Sequence, residues 1–152
     1  MENQVLNTLV MALEAPLTQQ ANMLDYLPRQ ARSGAEANIW TGIMRNWAPR
    51  WQGKGSVLTA DASTFRFKGE ARDIPGNQFD LEINLTSANS ALIVEHVRNI
   101  RIDCILSGNG QQLVYQGKGG YGQLKIEQYV SGSEARFYIQ YGLLTLPVHL
   151  AF

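Results

Sequence analysis

Cysteine is almost missing from this chain. Cys104 stands alone, which excludes an intrachain disulfide and any cysteine-based metal site. Histidine is nearly as scarce, with only His96 and His149. Neither sign of charge is in excess: 13 Lys+Arg balance 13 Asp+Glu, and charged residues make up only 17% of the chain. That balance lacks the basic footprint of a nucleic-acid or anionic-membrane binder. No apolar run approaches the roughly 20 residues of a spanning helix. The opening MENQVLNTLV carries Glu2 and no basic start, so it does not read as a signal peptide. With the lone cysteine, this points to a soluble chain in a reducing, cytoplasmic setting.

What the chain does have is apolar residues, at 45%, and enough length for one domain with a real core over 1–152. Its first third reads as helical. Val5, Leu6, Leu9, Val10 and Leu13 recur with helical spacing. Pro16 interrupts them and opens a second helix, with Leu17, Ala21, Leu24 and Leu27 inward and Pro28 as its stop. The stretch from Ser33 to Trp51 gives the largest apolar face. Ile39, Trp40, Ile43, Met44 and Trp47 fall on one side of a 3.6-residue period, Ser33 and Glu36 have the spacing of a capping box, and Pro49 ends the run.

From Trp51 onward the period becomes 2. Phe65 and Phe67 alternate with Arg66 and Lys68. Phe79, Leu81, Ile83 and Leu85 alternate with Asp80, Glu82 and Asn84. Ile100, Ile102, Cys104 and Leu106 form a third set, and Leu144 to Phe152 a last one. One face of each strand is dry and the other wet, as in antiparallel sheets. Pro75-Gly76-Asn77, Asn109-Gly110, Ser131-Gly132-Ser133 and Gly142 mark reversals. About eight strands result, near 56–60, 63–72, 78–87, 90–97, 99–107, 111–117, 122–131 and 134–151, the last bending at Gly142 or Pro147. Pro147 donates no hydrogen bond and belongs on an edge or at a bulge. A weak self-similarity also appears at an offset of 64, where Gln52-Gly53-Lys54-Gly55 returns as Gln116-Gly117-Lys118-Gly119. Duplication of a three-strand meander and shared strand-and-turn composition both account for it.

The expected fold is therefore α+β: a helical layer over 1–50, packed on a strongly twisted, barrel-like antiparallel sheet over 51–152, with the Trp helix across its concave face.

No catalytic constellation, metal site or cofactor motif emerges. Lys54 and Lys118 lie in Gly-Lys-Gly settings between strands, without the Ser or Thr of a phosphate loop. Cys104 shares the phase of Ile102 and Leu106 and reads as core. The strand carboxylates alternate outward, where they pair across strands. Tyrosines crowd the last third, and Tyr129 and Tyr138 fall out of phase with the apolar set. Three functions are compatible with these features. The first is a non-catalytic module for assembly with a protein partner or with itself, which uses the apolar helix Val5, Leu6, Leu9, Val10 and Leu13 with Tyr129 and Tyr138. The second is a carrier of a small apolar ligand between helix and curved sheet, lined by Trp40, Met44, Trp47, Phe65, Phe67 and Phe79. The third is an enzyme with an acid or base in that cavity. The first is the leading expectation.

Overall fold

A computed structural model of the chain describes residues 19–41, 51–71 and 78–152, the side chain of Trp51 excepted. Alternation of dry and wet side chains runs through ten segments, and each is a strand. They are β1 (Glu36–Thr41), β2 (Trp51–Ala60), β3 (Thr64–Ala71), β4 (Gln78–Ser87), β5 (Ser90–Glu95), β6 (Ile100–Gly108), β7 (Gln112–Gly117), β8 (Leu124–Ser131), β9 (Glu134–Tyr141) and β10 (Leu144–Ala151). Every strand pairs antiparallel with its sequence neighbours, and β1 pairs with β10 through Asn38↔Ala151 to Thr41↔Val148. The sheet thus closes into an up-and-down barrel. Closure gives every paired strand a partner on both sides.

The eight expected strands fall where the alternation put them, with the last divided at Gly142, whose φ of +61° turns the chain between β9 and β10. Asn109-Gly110 joins β6 to β7. Gly110 takes a positive φ, and Asn109 Oδ1 accepts from the N–H groups of Gln111 and Gln112. Pro147, expected on an edge or at a bulge, lies within β10 and pairs with Tyr138 of β9 in an unbroken register. Pro75-Gly76-Asn77 lies outside the described residues.

The helical layer is corrected. The residues expected to begin the Trp helix form β1 instead: Ala37, Ile39 and Thr41 point inward, while Glu36, Asn38 and Trp40 point outward. Ser33 does not cap a helix. Its Oγ accepts from the N–H of Ala60, and Gly34 beside it turns with φ +89°. Those contacts swing the chain onto the end of β2, and the β-branched and aromatic side chains of the stretch suit the wall it joins. The second expected helix shrinks to one 3-10 turn, Met23–Tyr26. Asn22 Oδ1 accepts from Leu24 N–H, and Met23 N–H is drawn to Ala62 O. Leu27 is extended ahead of Pro28. Met23, Tyr26 and Leu27 are buried, but Leu24 is exposed. No α-helix occurs among the described residues, so α+β gives way to an all-β barrel. The segment Val5–Leu13 and residues Ile43, Met44 and Trp47 lie outside them.

The offset-64 similarity is not a structural duplication. Gln52–Gly55 lies within β2, whereas Gln116–Gly119 runs from the end of β7 into a turn. Gly55 and Gly69 have a local reason. They face each other across β2 and β3, and a Cβ on Gly55 would meet Lys68 O at 2.5 Å and the Phe67 ring at 2.6 Å. A Cβ on Gly69 would press on the fully buried Ile39 at 2.8 Å. Glycine there lets the wall curve sharply.

The two barrel ends differ. Residues 19–35 cover the end where β3 begins and β4 ends, sinking Met23, Tyr26, Leu27 and Ala31 into the core. Gln128 holds this plug from within. Its Nε2 donates to Met23 Sδ and to Tyr26 O, both at 3.4 Å, and its Oε1 accepts from the Tyr115 hydroxyl. Both side chains are wholly buried. Gln128→Leu strands the Tyr115 hydroxyl and should cost about 1–3 kcal/mol in a urea melt. Adding Tyr115→Phe should recover most of that loss; no recovery would show that the pair does not act together.

Candidate functional site

The other end, where Thr41, Glu95 and Gly117 close their strands, is not filled by the described residues. Here the inner faces form a partly open cavity of about 190 Å³. Phe65 and Phe67 of β3, Phe79 and Leu81 of β4, Ile139 of β9 and Val148 of β10 line it, with Thr41 and Glu95 at the ends of β1 and β5. Phe79, Leu81, Ile139 and Val148 are inner-face residues that a filled barrel would bury, yet they stay partly exposed. Four phenylalanines brace the cavity floor. Phe137 stacks on Phe65 with ring centres 6.2 Å apart, Phe65 on Phe67 at 6.4 Å, and Phe67 on Phe79 at 5.7 Å. Each such contact adds about 0.5–1.5 kcal/mol beyond simple burial. The floor is therefore stiff, and the space above it does not depend on a ligand to hold it open.

Of the expected ligand-binding set, Phe65, Phe67 and Phe79 come together in this cavity. Trp40 points to the outer wall, opposite His149 and Gln52. Met44 and Trp47 lie outside the described residues. The other lining residues were not in the expected set, and two of them, Thr41 and Glu95, are polar. Thr41 and Glu95 are in phase with the buried pairs Ala37–Ile39 and Ala91–Ile93, so parity alone would have found them once the strand bounds were known.

Glu95 is the ionisable lining residue among those described, and its oxygens are occupied. Oε2 accepts from the N–H of Asp80 at 2.8 Å and of Val97 at 3.3 Å, and Oε1 from Arg98 N–H and its guanidinium at 2.9 Å. Burial pushes its pKa up, but these donors outweigh burial and hold it below the ordinary glutamate value. Glu95 is thus an ionised brace for the β5–β6 turn, with no proton to give. Cys104 faces the interior, and burial, aided by Asp103, pushes its thiol up to about 11 against the opposing effect of Lys118. It is an inert core residue rather than a nucleophile. No group of three metal-ligating side chains occurs among the described residues.

The outer wall is charged, with Arg66, Lys68, Glu82, Asp103, Lys125 and Glu127 on strands whose inner residues are apolar. That is the reverse of a membrane barrel, which is apolar outside and polar within. No helix among the described residues is long and apolar enough to cross a membrane. The expected assembly surface is also corrected. No α-helix occurs among the described residues, the segment Val5–Leu13 lies outside them, and Tyr129 and Tyr138 satisfy each other. Their rings stack at 5.6 Å, their hydroxyls bond at 3.0 Å, and Tyr138, with His149 edge-on to it, is only 6% exposed. Burial and Arg136 lower the pKa of His149 despite nearby Glu134, so its imidazole is neutral near pH 7.

The tips of the two ends contrast. Three described turns at the open end carry exposed Val97, Tyr121 and Leu143, and Tyr141 and Leu144 flank the last of them. Turns at the plugged end are built from Asp61, Ser63, Asn89, Asn109 and Ser133. On the outer wall, Arg66 forks onto Asp80 with bonds of 2.9 and 2.8 Å, and the Asp80 carboxylate is mostly buried. The Arg66 hydrogen bonds, opposed by burial and aided by the charges of Arg66, His96 and Lys68, hold Asp80 below its ordinary pKa. A depressed pKa stabilises the fold fully above the unfolded value and less as pH falls through the folded one. The loss should therefore begin below about pH 4. Arg66→Met should lower stability at pH 7 and flatten the acid limb of a stability–pH curve; an unchanged limb would show that the fork carries none of it.

Comparison of the chain with protein-family models, curated proteins and solved structures finds no match.

Proposed function

We propose that the barrel binds and carries a small apolar molecule, taken in at the open end. This replaces assembly through apolar helices, and the expected site between helix and sheet moves inside the barrel. One observation carries the reading: the inner wall is filled and plugged at one end but leaves an apolar cavity of about 190 Å³ at the other. Burying apolar surface is the dominant driving force available there. An apolar cavity of about 150 Å³ is large enough for benzene, so this one suits a molecule slightly larger. The wall is wide enough for the task, since a barrel's diameter grows with strand number and about eight strands already leave room for side chains or one small ligand. The apolar turn tips at the open end favour entry from that side. A bare hydrocarbon face at the mouth lowers the cost of moving an apolar molecule out of water.

Ethylbenzene is a suitable probe. It should raise the melting temperature of the wild-type chain progressively with concentration, as ligand binding to the native state requires. Val148→Phe fills the cavity from its wall; it should fold with a similar melting temperature and lose the ethylbenzene effect. A wild-type melting temperature indifferent to ethylbenzene would contradict the proposal.

A further inference from the structure

Exposed apolar side chains are not spread evenly over the barrel. Of the eight large ones among the described residues, five lie around the open end: Val97, Tyr121, Tyr141, Leu143 and Leu144. They stand on or beside three successive turns of one rim, β5–β6, β7–β8 and β9–β10. Leu143, in the last of these turns, is fully exposed. The other three, Leu24, Leu58 and Ile105, stand singly on the plug, β2 and β6, as isolated surface residues commonly do. Charge follows the same division. The three turns carry exposed Arg98 and Lys118 and no carboxylate within 96–99, 118–123 or 142–143. Arg98 is held over the rim by its bonds to Glu95, at the end of β5, and to Gln78 O. The turns between strands at the plugged end carry Asp61 and no cation. Charge balance over the whole chain hides this local bias.

We propose that the open rim docks on the surface of an anionic lipid bilayer, with Val97, Tyr121 and Leu143 entering the headgroup layer and Arg98 and Lys118 meeting lipid phosphates. Such a surface rewards this pairing, because buried apolar area and attraction to anionic lipid add together. Tyrosine suits the boundary, with one end apolar and the other wet. Side chains that project from separate turns fit a surface that yields around each of them. A second copy of the chain fits less well. Rim against rim would set Arg98 and Lys118 of one copy against those of the other, and like charges facing each other oppose contact. The barrel lies on the bilayer rather than across it, since its outer wall is charged. Docking goes beyond the carrier reading and gives it a source: the cavity opens at the same end, so an apolar molecule would pass between bilayer and barrel without crossing water.

The test is flotation of the full chain with vesicles of phosphatidylcholine containing phosphatidylserine, and with vesicles of phosphatidylcholine alone. Wild type should float with the mixed vesicles and more weakly with the plain ones, and added salt should narrow the difference. Leu143→Ser should weaken binding to both by about tenfold, from the loss of a leucine's burial. Lys118→Ala should weaken binding to the mixed vesicles by about fivefold and leave the plain ones unchanged. Leu24→Ser, at the plugged end, should change neither. All three positions are exposed, so the melting temperatures should stay near that of wild type. Failure of wild type to float overturns the proposal. So do equal losses for Leu143→Ser and Leu24→Ser, which would mark unspecific adhesion. A chain that does not float, but whose mass rises with concentration and falls back in Leu143→Ser, would assign the rim to a second copy instead. None of these readouts involves ethylbenzene, so their failure leaves the carrier reading standing, and an indifference to ethylbenzene leaves the docking standing.

Discussion

Closure of the sheet between β1 and β10 is the constraint on which the rest depends. Four residue pairs, from Asn38↔Ala151 to Thr41↔Val148, join the first strand to the last. Without them, the edges of β1 and β10 would face solvent as templates for pairing with other chains. With them, every side chain is committed to one of two environments. Inward positions become core, and outward positions become a charged wall. The sharp curvature this demands falls on β2 and β3, where Gly55 and Gly69 lie against each other and Ile39 from β1 packs over the gap.

A closed barrel has two open ends, and the chain treats them differently. At one, a short segment folds back. Met23, Tyr26 and Leu27 fill the space, and the buried Gln128 joins that segment to Tyr115. Such a polar group is costly unless satisfied, so it fixes one position for the plug. At the other end the phenylalanine ladder stops short of the rim. The remaining space is bounded by stiff walls, and rigid walls keep a cavity that a softer core would collapse into. Exposed Val97, Tyr121 and Leu143 lie on the described turns of that end, and exposed Leu24 lies on the plug at the other.

Much of this was legible in the sequence, and the failures have local causes. Phe65–Phe67, Phe79–Leu85 and Ile100–Leu106 announced their strands by strict alternation, because one side of each meets a dry core. Gly142 announced its turn. The stretch Glu36–Thr41 did not, because its polarity is inverted at the end: Trp40 faces out and Thr41 faces in. Reading Trp40 as core forced a helical period on a strand, and the spacing of Ser33 and Glu36 then resembled a cap. The buried Gln128, the inward Glu95 and Thr41 were hidden for the same reason. A polar residue in an apolar phase is invisible to a hydropathy pattern, yet these three hold the plug, brace the rim and mark the cavity. Phe65, Phe67 and Phe79 were legible as apolar and in phase, but their convergence on one cavity needs the closure that only β1 completes.

The most direct test of the central claim, an apolar cavity held open at one end of a closed barrel, is a crystal structure determined under xenon pressure. Xenon enters dry apolar cavities and avoids hydrated ones. The expected result is a xenon peak within the barrel between Phe67, Phe79, Ile139 and Thr41, with the plugged end unoccupied. An interior without xenon there, whether collapsed or filled with ordered water, would contradict the account.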